Sequence, residues 1–419
     1  MDSESKNDKY NADELVVPNW LNGEFFREVL SNVEKEPNIR IIDIQMSPAT
    51  AKGDHYASIM FRSKISYETR KGKFFKSLII KTMPEQEGHK KEMLSNSPIF
   101  ETEIGMYTKA LPKFQEILRK SGDNTRLCVP CLYHSLEPRQ VMIFEDLVEK
   151  GYTVIRNRGG TIEELKAAYA KLAKMQAVSF HILHENPEYL QEFKNGINAM
   201  PNLMNDPFMT TGVTNLLELI ETVPELSKYK PYFKSIEQNY LKSFVDIMEE
   251  YRLNRRTDGY YVLCHGDYHL RNIMVKHNPA DGSLEDCMLL DFQMSHVCPI
   301  STDLLYSIYL LMDAEQRRHN YKELIKFYFS TFVEALEKIG FNGELPNCVD
   351  FWRQLHRHKI FDIFYLTILP MVFAIESNAF DIGDVVANHE IRKKLFFQDK
   401  YIDELKYLLP RFEKLGYFN

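Results

Sequence analysis

Three residues in the middle of the chain have types and spacing that suit phosphoryl transfer. Asp267 and Asn272 lie in the stretch CHGDYHLRNIMVK at 264–276, and Asp291 lies in LLDFQ at 289–293. A short strand leads from Asn272 through a turn at Asp281-Gly282 and back to Asp291, so a hairpin is expected to gather the three at one end of a sheet. Phosphoryl transfer asks little covalent chemistry of a protein. It needs a group that orients and deprotonates the attacking hydroxyl, and oxygen ligands for the magnesium that bridges the phosphates. Two carboxylates and an amide supply both. Alone, His-Gly-Asp could be a simple turn and Asp-Phe a strand end; their joint order and spacing favour a site.

The block resembles the catalytic loop and metal-binding motif of protein-kinase-like folds. Its HGDxHxxN form is that of aminoglycoside phosphotransferases, choline kinases and, most closely, the insect ecdysteroid kinase-like family. The resemblance implies an ATP-dependent kinase that phosphorylates a hydroxyl of a small molecule, best an ecdysteroid or another lipophilic alcohol or xenobiotic. It implies Asp267 as catalytic base, Asn272 and Asp291 as ligands of Mg2+, and His265 and Asp303 as supports of the catalytic loop. Position also suits Asp303 to cap the helix it opens. A choline or aminoglycoside acceptor is the alternative among enzymes, and a nucleotide-binding pseudokinase without turnover is the alternative to an enzyme.

A kinase of this kind also needs a strand lysine paired with a helix glutamate. Lys81 ends the apolar run Leu78-Ile79-Ile80, and Glu103, rather than the nearby Glu101, resembles the family's helix glutamate. The stretch AKGDHYAS at 51–58 resembles the family's phosphate-covering loop, with Gly53 and Ser58 as candidate phosphate contacts; a plain loop is the equal alternative. In IFEDL at 143–147, backbone groups of Glu145 and Leu147 occupy the place of the adenine-binding hinge. His269, Tyr306, Trp352 and Tyr365 mark a candidate acceptor pocket, and with Phe364 the aromatics could also cage a quaternary ammonium, although aromatics at helical spacing are more often core. Two departures count against a polypeptide substrate: Asp-Phe-Gln replaces Asp-Phe-Gly, and no Ala-Pro-Glu follows. Gln176 stands where related enzymes often carry histidine.

To hold these residues, the chain needs a sheet early and helices late. Strand character recurs at 39–45, 55–67, 74–83, 127–135 and 140–144, with one amphipathic helix ahead at 20–33 and one inserted at 97–114. Beyond Leu147, the segments 161–185, 215–222, 232–251, 302–312, 321–339, 351–376 and 389–409 carry helical periodicity, interrupted by short strands at 261–264, 273–275 and 288–290. The expectation is an α+β, two-lobed protein-kinase-like fold. A small antiparallel-sheet N-lobe, residues 1–146, would bind nucleotide, and a large helical C-lobe, residues 147–419, would carry the catalytic loop, metal site and acceptor pocket.

Composition bounds the partners. A length of 419 residues allows two or three packed units. A net charge of -7 repels polyanions, so no nucleic-acid partner is expected. Residues 1–10 are polar and acidic, unlike a secretory signal, which makes the cytoplasm the expected location. The most apolar segment, 363–375, is shorter than a bilayer requires and contains Pro370, so no membrane partner is expected. Six cysteines, including a lone CxxC at Cys128 and Cys131, suggest reduced thiols rather than disulfides or zinc. Oligomeric state leaves no sequence signal.

Overall fold

A computed structural model of the chain describes residues 15–50, 58–84, 91, 97–156, 158–200, 204–376, 385 and 388–418. The chain divides into two compact units. The first comprises Met1–Lys113, Arg126–Val154 and Met274–Gln293, and the second Phe114–Thr125, Ile155–Ile273 and Met294–Asn419.

In the first unit, strands β1 (Arg40–Pro48), β2 (Ile59–Thr69), β3 (Gly72–Thr82), β4 (Cys131–Ser135) and β5 (Val141–Glu145) form an antiparallel sheet of order β1-β2-β3-β5-β4. The alternation in β2 explains why it is a strand: Ile59, Phe61, Ser63, Ile65 and Tyr67 are buried while the residues between them are half-exposed. Thr69 pairs with Gly72, so the β2–β3 turn is the dipeptide Arg70-Lys71. The Gly23–Glu34 helix starts later than its apolar pattern, because Asn22 accepts the Glu24 and Phe25 amides and sets the first turn. It buries Phe26, Val29 and Leu30 in one core with Phe61, Leu78, Ile80 and Ile143. The inserted helix runs beyond 114, as an α segment Ile99–Gly105, a π-helical turn Met106–Ala110 and an α segment Leu111–Lys120. Strands β6 (Tyr152–Val154), β8 (Ile273–His277) and β9 (Leu284–Leu289) form a three-stranded sheet.

The second unit is helical. The Ile162–Glu185 helix begins with a capping box between Thr161 and Glu164 and packs against the Tyr321–Lys338 helix and against β7 (Tyr261–Cys264). β7 pairs with β10 (His296–Pro299), a strand too short and polar at its start to show in the sequence pattern. The Ile360–Glu376 helix accommodates Pro370 because the Leu366 carbonyl, which proline cannot serve, accepts the Tyr401 hydroxyl at 2.8 Å. Three expected helices are broken. The segment 232–251 becomes Lys230–Ile236, Tyr240–Met248 and Glu250–Leu253; 351–376 divides into Cys348–Arg357 and Ile360–Glu376; 389–409 divides into His389–Phe396 and Asp399–Lys414. Apolar periodicity crosses each break because both pieces bury the same side. The last break is fixed by Gln398, whose Nε2 donates to Leu395 O at 2.7 Å and Pro370 O at 3.0 Å. Among the described residues, no helix is long and apolar enough to cross a membrane.

Candidate active site

In the first unit, β3 delivers Lys81 into the interior, where its side chain is 2% exposed. Its Nζ donates to Glu103 Oε2 at 2.5 Å and to Asp291 Oδ1 at 2.8 Å. Burial works against the ammonium, but Asp291 and then Glu103 more than offset it, so the Lys81 pKa rises and the side chain stays charged. Glu103 is pushed up to about 7, chiefly by burial, with Lys81 opposing. Glu101, on the same helix, is exposed. Asp291 has φ 62°, in the left-handed region. That conformation is costly for most residues and tolerated by aspartate, and such strain clusters at functional sites. The next residue anchors it: Phe292 is fully buried, with its ring 5.5 Å from that of Tyr107.

The second unit holds the catalytic loop. Gly266 leaves β7 with φ 85°, and a Cβ there would lie 2.1 Å from Met294 O, so glycine alone fits. The buried Asp303 carboxylate accepts His265 N–H at 2.6 Å and Gly266 N–H at 2.9 Å. It does not cap its own helix, Ser301–Leu310, which has no side-chain cap. Burial pushes the Asp303 pKa up to about 7, assisted by Cys298 and opposed by the two loop amides. Gln176 Nε2 donates to Asp303 Oδ2 at 2.7 Å, and Gln176 Oε1 in turn accepts the Tyr328 hydroxyl. The His265 carbonyl accepts the Ser295 hydroxyl at 3.1 Å.

This brace presents Asp267. Asn272 Nδ2 donates to Asp267 O at 2.9 Å and Oδ2 at 3.1 Å, and the Tyr306 hydroxyl donates to Oδ1. His269 Nε2 stands 3.5 Å from Oδ2, while its Nδ1 accepts Arg271 N–H at 3.2 Å and caps the turn Leu270–Asn272. The Asp267 side chain remains 26% exposed. A carboxylate fixed by two donors yet open to solvent can receive a hydroxyl and its proton.

Of the other sequence candidates, Tyr365 stands between Tyr306 and Phe364, 5.2 Å from the latter, while Trp352 lies apart. Tyr365 is buried, 5.3 Å ring to ring from Tyr306 and stacked on Tyr309 at 5.6 Å. Trp352 packs edge-on against Phe351 at 5.8 Å, in a cluster with Phe329, and Phe364 stacks on Phe244 at 4.0 Å. Ser58 is buried just before β2, and Gly53 lies outside the described residues. Glu145 ends β5 and pairs with Lys150; Leu147 is buried, and its carbonyl accepts Gly151 N–H. Between them Asp146, passed over in the sequence, accepts Arg62 Nε at 2.7 Å and Ser77 Oγ at 2.8 Å and so fixes the backbone there. Tyr328 and the partnerships of Gln176 with Asp303 and of Tyr306 with Asp267 were likewise not legible in the sequence. The one signal was Gln176 itself, a polar residue on the apolar face of a long helix.

Among the described residues, no group of three or more His, Cys, Asp or Glu side chains stands ready for a metal. Magnesium needs no such cage, since it takes one or two protein oxygens and completes its shell with phosphates and waters. Asn272 commits its Nδ2 to Asp267, so the donor atom it could offer an ion is Oδ1, and Asp291 carries a carboxylate; hard oxygens of this kind are what magnesium prefers.

Residues 52–341 match the Ecdysteroid kinase-like family. No curated protein sequence matches the chain. Among solved structures, a spectinomycin phosphotransferase in complex with ADP and spectinomycin aligns at 14% identity, covering 92% of this chain and 94% of its own, with a TM-score of 0.40. APH(2")-IIa, in a ternary complex with streptomycin and ATP, aligns at 11% identity, covering 86% and 95%, with a TM-score of 0.34. Similarities at these scores say nothing of what this chain acts on. The family match spans more than two thirds of the sequence and includes the HGD and DFQ motifs, and the chain belongs to the ecdysteroid kinase-like family.

Proposed function

We propose that the protein transfers the γ-phosphoryl group of ATP to a hydroxyl of a lipophilic small molecule, an ecdysteroid or another apolar alcohol. The observation that carries this reading is Lys81, a fully buried cation held by Glu103 and Asp291. Burying three charges together is expensive, and a purely structural core would do better with apolar side chains. A phosphate site needs such a lysine.

In this reading Lys81 grips the ATP phosphates with Glu103 fixing its position, and backbone groups at Glu145 and Leu147 take the adenine. Asp291 and Asn272 would hold magnesium, which supplies charge neutralisation on the phosphate oxygens. Asp267 aligns the acceptor hydroxyl and takes its proton late, since a loose transition state needs little early deprotonation. Asn272 and Tyr306 keep its carboxylate in one orientation. Trp352 lies in a separate cluster, and the faces of Phe364 and Tyr365 are stacked on Phe244 and Tyr309, which favours an apolar alcohol over choline, a cation that needs several open ring faces around it.

The test is ADP release by purified protein with ATP and magnesium, across ecdysteroids, other sterols, phenolic glucosides, choline and aminoglycosides. Acceptor-dependent release, highest with the apolar alcohols and absent in Asp291→Ala, is expected. Nucleotide binding without release on any acceptor would make the protein a pseudokinase. Failure to bind nucleotide at all would remove the reading.

A further inference from the structure

We propose that the second unit carries an anion site, separate from the catalytic residues, that takes a small phosphate-bearing ligand. A cavity of about 280 Å³ opens where the helices Ala314–His319 and Tyr321–Lys338 meet the last turns of Asp399–Lys414. Five of its lining residues are basic: Arg318, His319, Lys322, Arg411 and Lys414. None is acidic. In a chain of net charge -7, this is a local inversion of sign, and like charges converge at a cost unless something opposes them.

Two of the five have partners. Arg318 donates to the buried Glu404 at 2.7 Å, a carboxylate it shares with Arg317, and His319 lies 3.5 Å from the exposed Glu315. For Lys322, Arg411 and Lys414, no carboxylate stands within ion-pair distance among the described residues. The nearest compensation for Arg411 is the more distant field of Asp362, whose oxygens are already occupied by the Tyr309 and Tyr417 hydroxyls.

The walls are ordered before any ligand arrives. Arg411 lies 3.9 Å from the centre of the Tyr321 ring, and Arg318 lies 5.0 Å from that of Tyr407. Each guanidinium thereby has an aromatic face to rest against before any ligand binds. Arg318 Nε is buried with no hydrogen-bond partner, which is costly unless a ligand supplies one. Planar guanidinium forks with lysines beside them are the side chains that phosphate oxygens select. The volume lies near the lower end for ligand pockets, about 300 Å³, which suits pyrophosphate or the phosphate ester of a small sugar rather than a whole nucleotide. Nothing in this argument depends on the kinase reading.

The test is calorimetric titration of the full-length protein with pyrophosphate and, in a second arm, glucose 6-phosphate. Arg411→Gln/Lys414→Gln is compared with Lys234→Gln/Lys242→Gln, an equal change of charge at exposed sites on the same unit. Saturable binding to wild type is expected, weakened about tenfold or more in the pocket variant and unchanged in the control. The arm that binds more tightly identifies the ligand as free pyrophosphate or as an ester. Should the pocket variant melt early, Lys322→Gln repeats the test at an exposed position. Absence of saturation, equal loss in both variants, or unchanged affinity in the pocket variants would each overturn the site.

Discussion

Asp291 and Asp267 are both loop carboxylates, yet they are held by opposite means. A buried ammonium grips Asp291, whereas an amide and a phenol grip Asp267. The Lys81 cluster buries one ammonium between two carboxylates, so each member is expensive to leave without the others. Around Asp267 the direct supports are neutral and one side is open, so these residues act on orientation more than on survival. Removing a residue from the first region should therefore cost stability, and removing one from the second should cost rate.

The largest effect is expected at the open carboxylate. Asp267→Asn should lower kcat by about a hundred- to ten-thousand-fold, the usual range of a general base, while ATP affinity and melting temperature hold. Near-normal kcat on a verified acceptor would end its assignment as base.

Lys81→Met tests the buried cluster. It leaves Glu103 and Asp291 buried without their cation and should cost about 3–5 kcal/mol in urea unfolding. Adding Glu103→Leu should recover part of that loss, since fewer stranded charges remain. If the double variant is less stable than the single by the full cost of a second substitution, the cluster is not an energetic unit.

Asp303 sharpens the comparison, because it is a buried carboxylate whose hydrogen-bond donors, two backbone amides and Gln176, carry no charge. Its folded pKa of about 7 lies above the ordinary carboxylate value, so its contribution to stability is full in acid and is lost as pH rises through 7. Asp303→Asn lacks that loss. The melting deficit of the variant relative to wild type should therefore shrink between pH 5 and 8, on the order of 2 kcal/mol. A deficit independent of pH would mean that Asp303 is ionised throughout.

The smallest effect is expected at Tyr306. Tyr306→Phe removes one hydrogen bond to the partly exposed Asp267 and should reduce kcat about tenfold, with KM and stability little changed. A change confined to KM would move Tyr306 from positioning Asp267 to contacting the acceptor.

Asp267, Asn272, Asp291, Lys81 and Glu103 stood out in the sequence because their chemical types are irreplaceable for the proposed reaction and their neighbours are locally patterned. The sheet stood out for the same local reason, the alternation along β2 and the apolar run at the end of β3. What the sequence could not supply was every partnership across a long separation. Gln176 reaches Asp303, Tyr328 reaches Gln176, and His296–Pro299 pairs with Tyr261–Cys264. Position suggested a cap for Asp303, but capping preference is a local one, and the Asp303 carboxylate instead accepts two amides of the distant loop. Helix breaks followed the same rule, since Gln398 ends a periodic run through a bond to Pro370. Residue type and period are properties of neighbours in the chain, so the sequence by itself determined the chemistry on offer and the class of fold. Which polar group satisfies which depends on contacts between distant segments, and that only the tertiary structure decided.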